Sequence, residues 1–151
     1  MIDPKLFPPD VIAGAQLAHK NTGVPIAVTL AQYALESDYG KKVTGDFNYW
    51  GEKWKPGCRY PFKECPTHED VHGKEIPETD KFVSFPSSAA SFEFQAWCLT
   101  NSHGPYAKAR PFLKSWRSWL HMISRTYSTD PRYEQKICDL IAQYHLDAID
   151  A

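Results

Sequence analysis

The sequence predicts an α+β protein, mainly α: a helical domain with a small β-hairpin lobe that forms a cleft beside it. Two observations carry this prediction. Apolar residues recur at helical spacing on both sides of the chain's middle, while the stretch from Cys58 to Phe85 is rich in Pro, Gly and Thr and has no 3.6-residue stripe. Within that stretch Lys81-Phe82-Val83-Ser84-Phe85 alternates, as a half-buried strand does. The chain has 151 residues, of which 42% are hydrophobic and 23% charged, an ordinary globular balance with length enough for a real core. One domain over residues 1–151, with the β-lobe inserted at about 52–85, is the expected organisation.

The first helix starts at Pro8-Pro9-Asp10, carries Val11, Ile12, Ala15, Leu17 and Ala18, and stops at Asn21-Thr22-Gly23. The second opens at Pro25, which suits a first helical position because its missing N–H has no partner there anyway. Ile26, Leu30 and Ala34 form one stripe and Ala27, Ala31 and Leu35 the next, so this helix is mostly buried. Residues 41–57 read as loop. Pro86-Ser87-Ser88 caps a helix with Phe92, Phe94, Ala96, Trp97 and Leu99, which Asn101-Ser102-His103-Gly104-Pro105 ends. Pro111 is expected to open another, with Phe112, Trp116, Trp119, Leu120, Ile123 and Tyr127 at helical spacing; the tryptophans there read as core rather than as a sugar platform. Asp130-Pro131 then caps the last helix, with Tyr133, Ile137, Leu140, Ile141 and Tyr144 on one face.

Net charge is −1, the sequence pI is about 6.6, and no basic run occurs, which argues against nucleic acid as the partner. The N-terminus lacks the basic start and apolar run of a secretory signal, and no stretch is long and apolar enough to span a membrane.

The residue that stands out is Glu36, at the end of the second helix in Gln32-Tyr33-Ala34-Leu35-Glu36-Ser37-Asp38-Tyr39-Gly40. The last turn of a helix carries partial negative charge, which opposes ionisation of a carboxyl group. Burial among Tyr33, Tyr39 and Trp50 acts in the same direction. A carboxylic acid that keeps its proton near neutral pH is what general acid catalysis requires. Gly40 supplies the positive φ that redirects the chain after the helix.

His68-Glu69-Asp70-Val71-His72 matches the zinc-protease string H-E-x-x-H, whose mechanism needs both histidines on one helical face. Pro66 just before it and Gly73 just after it speak against a helix. Cys58, Cys65, His68 and His72 also have the composition of a structural zinc site, although a Cys-to-Cys spacing of seven is unlike the usual short knuckle. A Cys58–Cys65 disulfide stapling the β-lobe is the expectation for a protein working in an oxidising compartment, with Cys98 and Cys138 as buried helical thiols. No metal and no cofactor is expected.

Taken in order, four motifs resemble the β-N-acetylglucosaminidase domain of glycoside hydrolase family 73, which includes bacterial autolysins, the flagellar peptidoglycan hydrolase and some phage lysins. Leu30-Ala31-Gln32-Tyr33-Ala34-Leu35-Glu36-Ser37-Asp38-Tyr39-Gly40 is similar to "laQaaLESgwG", and Asn48-Tyr49-Trp50-Gly51-Glu52-Lys53 to "N-x-F-G-I-K". Thr67-His68-Glu69 through Gly73, followed by Lys81-Phe82-Val83-Ser84-Phe85-Pro86-Ser87, resembles the family's hairpin and "kFR-x-Y-p-S". Tyr127-Ser128-Thr129-Asp130-Pro131-Arg132-Tyr133 resembles "YatDpxY". Two positions depart: Val83 stands for the usual Arg, and Glu52 for the usual apolar residue before Lys53.

The resemblance implies a lysozyme-like fold and cleavage of the β-1,4 bond after N-acetylglucosamine in peptidoglycan. It implies Glu36 as general acid, Glu69 on the hairpin as second carboxylate, Tyr127 in the site, and Asn48 near it. Gln32, Tyr39, Trp50 and Tyr133, in or beside the same motifs, complete the candidate substrate-binding set. The carboxylate separation, which distinguishes inversion from retention, and the use of the substrate's own acetamido group stay open. So do muramidase or lytic transglycosylase specificity and, from other classes, an inactive wall-binding module and the zinc protease. The expected setting is bacteriolytic: synthesis in the cytoplasm without a signal, then action in the periplasm or on the wall. The chain is read there as an injected antibacterial effector, which implies an immunity protein in the cleft, or as a phage endolysin.

Overall fold

The computed structural model describes residues 2–150, apart from the side chains of Glu69 and Asp70. Helix α1 spans Pro9–Thr22 and α2 spans Ile26–Ser37; strands β1 (Phe62–Val71) and β2 (Lys74–Val83) follow; α3 (Ser88–Thr100), α4 (Trp116–Tyr127) and α5 (Tyr133–Tyr144) complete the helical body. This is the mainly helical α+β architecture with a small two-stranded sheet.

Helix α2 is the centre of the body. Every residue from Ile26 to Ala34 is buried, which explains the double apolar stripe in its sequence, and α1, α4 and α5 pack around it. Pro25 is its N-cap, one residue outside the helix. Phe7, Phe92, Trp119, Leu120, Ile123, Ile137 and Ile141 fill the surrounding core. Trp119 is completely enclosed, as its place in the stripe predicts.

Two helix starts lie later than the prolines indicate. Ala107–Phe112, with Pro111 inside it, is a short 3-10 turn, and α4 begins at Trp116 after Ser115, whose hydroxyl accepts the N–H of Ser118. Asp130-Pro131 forms a turn in which Asp130 accepts the N–H of Arg132, and α5 begins at Tyr133. In both places a side-chain or turn hydrogen bond satisfies the entering N–H groups, and proline only shapes the approach.

The β-lobe is one antiparallel hairpin whose strands pair Phe62 with Val83 at the base and Val71 with Lys74 at the tip. His72 and Gly73 turn the chain with φ of 53° and 78°, the positive values that a tight two-residue hairpin turn requires. Among the described side chains from residue 64 to residue 80 none is buried, so the hairpin projects as an arm. Only its base joins the body: Phe82 and Val83 are buried, Val83 donates its N–H to the carbonyl of Glu52 at 3.0 Å, and Asp46 accepts from both Lys63 and Ser84 at 2.7 Å.

Candidate active site

Glu36 lies in the last turn of α2, and the turn is locked from below. The hydroxyl of Ser37 donates to the carbonyl of Tyr33 at 2.6 Å and accepts the N–H of Gly40 at 2.8 Å. Asp38, Tyr39 and Gly40 then run through three left-handed conformations, with φ of 48°, 56° and 81°. A Cβ at position 40 would meet the Tyr33 hydroxyl at 2.8 Å, so glycine is required there on steric as well as conformational grounds. The Glu-Ser-x-x-Gly pattern is thus a device that ends a buried helix abruptly and presents the residue before the serine to solvent.

The Glu36 carboxyl touches water, yet protein crowds around it, and burial raises its pKa. Two tyrosines from the C-terminal half of the chain sense its charge. The phenol of Tyr127 is raised well above its ordinary pKa by burial and then by the charge of Glu36, and that of Tyr133 by burial, Tyr127 and also Glu36. Both phenols therefore lie in the electrostatic field of the acid and stay neutral. Their rings stand 5.3 Å apart.

Two glutamines hold these tyrosines. Gln32, fully buried one turn before Glu36 on α2, donates to the Tyr133 hydroxyl at 3.1 Å. Gln95, from α3, donates to the Tyr127 hydroxyl at 2.9 Å. Gln32 thus positions an aromatic and is itself shielded from any ligand. Tyr106 adds a third ring, 6.3 Å from Tyr127.

Three candidate substrate-binding residues have other roles. Asn48 is fully buried, and its side-chain amide grips the backbone: it donates to the carbonyls of Glu52 and Val83 at 2.9 Å each and accepts the N–H of Glu52 at 3.0 Å. Trp50 packs on Phe92 with ring centroids 5.0 Å apart and donates its indole N–H to Ser91, so it belongs to the core. Tyr39 turns to the other side of α2, against Phe7 and Tyr144, and exchanges a 2.9 Å hydrogen bond with the Tyr144 hydroxyl; burial and that bond push its pKa up to about 12. Residues close to an acid in sequence were separated from it in space by the sharp turn at 38–40.

The Cys58–Cys65 disulfide is not formed. Cys65 sits on β1 opposite Asp80, and both thiols are free. Cys58 instead lies near Cys98 of α3, whose thiol is pushed up to about 12 by burial, by Glu52 and by Cys58. His68 is on a strand and His72 in the turn that follows, so the H-E-x-x-H string lacks the helical face its zinc chemistry needs. Among the described residues no cluster of potential metal ligands forms. Glu69 belongs to the same string, and its side chain lies outside the described residues.

Sequence reasoning also missed a groove of about 640 Å³ between residues 52–59 and α3. Glu52 and Val83 line it, and Phe94 and Trp97 supply aromatic surface, with Trp97 57% exposed. The available signal was weak: Trp97 falls out of phase with the buried Phe92, Ala96 and Leu99 of α3.

Known proteins share this arrangement. The glycoside hydrolase domain of FlgJ from Salmonella typhimurium, in a C-terminally truncated form, matches with a TM-score of 0.78 and 27% identity over 98% of this chain and 100% of that one. The catalytic domain of the autolysin Auto from Listeria monocytogenes matches with a TM-score of 0.81 and 25% identity over 99% and 90%. In sequence, the peptidoglycan hydrolase FlgJ of Escherichia coli strain K12 is 29% identical over 147 residues, covering 93% of this chain and 47% of that protein. A probable N-acetylmuramidase of Lactococcus lactis strain IL1403 is 28% identical over 153 residues, covering 95% and 34%. The chain spans about half or less of the length of these curated relatives.

Fold and site together define a lysozyme-like glycoside hydrolase domain, with an acid at the end of a buried helix and a hairpin lobe beside it. The chain belongs to the Glucosaminidase family, described as mannosyl-glycoprotein endo-beta-N-acetylglucosaminidase, whose model matches residues 12–146.

Proposed function

We propose that this protein hydrolyses the glycan strands of peptidoglycan at the β-1,4 bond after N-acetylglucosamine. The observation that carries the reading is Glu36: a solvent-accessible carboxyl at the end of a buried helix, its pKa raised by burial, in the field of which the neutral phenol of Tyr127 lies. A glycosidic oxygen is a poor leaving group until protonated, and Glu36 is the group able to protonate it. Half-buried Tyr127 supplies a phenol beside the reacting sugar, with the buried ring of Tyr133 packed against it, and the exposed Trp97 offers aromatic area suited to sugar C–H faces.

Muramidase specificity is the second reading, supported by the Lactococcus relatives, which bear that name. Digestion of purified peptidoglycan followed by mass spectrometry of the new reducing ends separates the two. N-acetylglucosamine there supports the glucosaminidase assignment, and N-acetylmuramic acid overturns it. Glu36→Gln is expected to keep the fold and lower cleavage by about 10²-fold or more; wild-type turnover by this variant would falsify the role of Glu36. The action we envisage is bacteriolytic, in the periplasm or on the wall, by an injected effector with a cognate immunity protein or by a phage endolysin. Lysis of a bacterial host on periplasmic but not cytoplasmic targeting is its expected signature.

A further inference from the structure

The buried polar side chains between α2 and α3 form one directed chain of hydrogen bonds. Gln32 of α2 and Gln95 of α3 are 0% and 3% exposed, so both amides depend on protein partners. The Gln95 Nε2 donates to the Tyr127 hydroxyl at 2.9 Å and, at a longer 3.5 Å, to the Gln32 Oε1; the Gln32 Nε2 donates to the Tyr133 hydroxyl at 3.1 Å. The two amides lock each other's sense. Turning Gln95 alone would set its oxygen against the oxygen of Gln32, and turning Gln32 alone would set its amino group against that of Gln95. The tyrosine rings close the circuit, 5.3 Å apart and inclined by 30°. Gln32 precedes Glu36 by four residues on α2, so the circuit lies one turn, about 6 Å along the axis, from the acid.

The sense of this chain decides what the tyrosines can do. Each phenol oxygen is an acceptor on its protein side, and a hydroxyl that accepts through its oxygen still has its own proton to give. Among the described residues no acceptor takes the proton of Tyr127. Tyr133 is 3% exposed, whereas Tyr127 is half-buried, so Tyr127 is the phenol with a side open to a ligand. Burial also keeps its proton in place by raising its pKa.

We propose that Gln95 is a positioning residue: braced by Gln32, it holds the Tyr127 oxygen as an acceptor and so presents the Tyr127 O–H as a donor to the bound glycan. This rests on the glycosidase reading above and on the place in the site that the family motif gives Tyr127. A glycan carries hydroxyl, ring and acetamido oxygens, all acceptors for such a proton. An unconstrained phenol O–H would have to be ordered when the sugar binds, whereas one already aimed by a buried amide needs no reorganisation as the reaction proceeds. Gln95 acts only through Tyr127 and stays shielded from the glycan itself.

The test is a double-mutant cycle on purified peptidoglycan strands: wild type, Tyr127→Phe, Gln95→Met and the two combined, each checked for cooperative thermal unfolding. Methionine keeps the length of the Gln95 side chain and removes its hydrogen bonds. Tyr127→Phe and Gln95→Met are each expected to lower kcat about tenfold or more, with KM within about threefold of wild type. In the Tyr127→Phe background Gln95→Met should cost less than about a further twofold, because no phenol oxygen is left to hold. A glutamine that only supports the fold would lower both backgrounds by the same factor. Side-chain amide NMR supplies a readout that needs neither turnover nor a Gln95 variant that folds: the Gln95 amide resonances should move in Tyr127→Phe. If Gln95→Met does not unfold cooperatively, the Tyr127→Phe kinetics and these resonances decide. An inert wild type overturns the glycosidase reading and this proposal with it. With an active wild type, a folded Tyr127→Phe that keeps its kcat, or losses that multiply in the double variant, overturns this proposal alone. Gln95 amide resonances that stay in place in Tyr127→Phe do the same.

Discussion

Asn48→Ala tests whether the hairpin is fixed to the body by a single buried side chain. The wild-type amide of this fully buried residue makes four hydrogen bonds: it donates to two carbonyls at 2.9 Å each and accepts the N–H of Glu52 at 3.0 Å and that of Trp50 at 3.4 Å. A hydrogen bond contributes about 1 kcal/mol net, and a buried partner left unpaired costs about 1–3 kcal/mol. The carbonyl of Glu52 keeps the Val83 N–H, so three groups are left without this partner: the N–H of Glu52, the N–H of Trp50, whose bond is the longest, and the carbonyl of Val83. A loss of about 3 kcal/mol is expected, which for a domain of this size lowers Tm by about 6–12 °C. Urea unfolding followed by tryptophan fluorescence gives the free energy, and calorimetry the Tm. Asn48→Asp, which keeps an acceptor for the Glu52 N–H but offers no donor to the two carbonyls, should not rescue stability. A loss below about 1 kcal/mol, or full rescue by Asp, refutes the idea that this amide anchors the base of the arm.

The raised pKa of Glu36 has a thermodynamic counterpart. The folded state holds the proton more tightly than the unfolded chain, whose ordinary value is 4.5, so the wild type loses stability as pH rises through the window above that value. Glu36→Gln is neutral at every pH; its Tm should match wild type near pH 4 and exceed it at about pH 7.5, whereas a difference that does not vary with pH contradicts the burial argument. Among the thiols, Cys98, pushed up to about 12, should be the slowest to alkylate at about pH 8, because the thiolate is the reacting species. Peptide mapping after brief alkylation checks this, and labelling of Cys98 as fast as Cys65 would contradict it.

Much of this site was legible in the sequence, for a local reason. Helix α2 is apolar on nearly every face because it is enclosed, and Glu36 is the first charged residue along it. The Ser37 and Gly40 contacts that end the helix span only a few residues, so the chain segment itself specifies where the acid emerges. Tyr127 and Tyr133 were reached by family resemblance, since nothing in their own segments announces that they will meet α2. Gln95 and Tyr106 were not reached at all. They enter through packing between distant segments, and a glutamine on a helix reads as surface until a buried phenol is found to need its N–H.

The misread residues show the complementary limit. Tyr39 and Trp50 follow the acid by three and fourteen residues and have the aromatic faces a sugar site uses, yet each is engaged in another contact: Ser91 takes the indole N–H, and Tyr144 the phenol. Glu52 is the converse case. In the chain it sits among lysines and a glycine and reads as a solvated loop residue. The buried amide of Asn48 turns that loop so that Glu52 lines a groove, half-buried, and burial raises its pKa. A carboxylate's chemistry is set by what surrounds it. Here Asn48, four residues upstream of Glu52, supplies that setting through the backbone alone. The hydrogen bonds of Asn48 therefore link the stability of the hairpin base to the position of Glu52, so the loss of that amide is read out in unfolding.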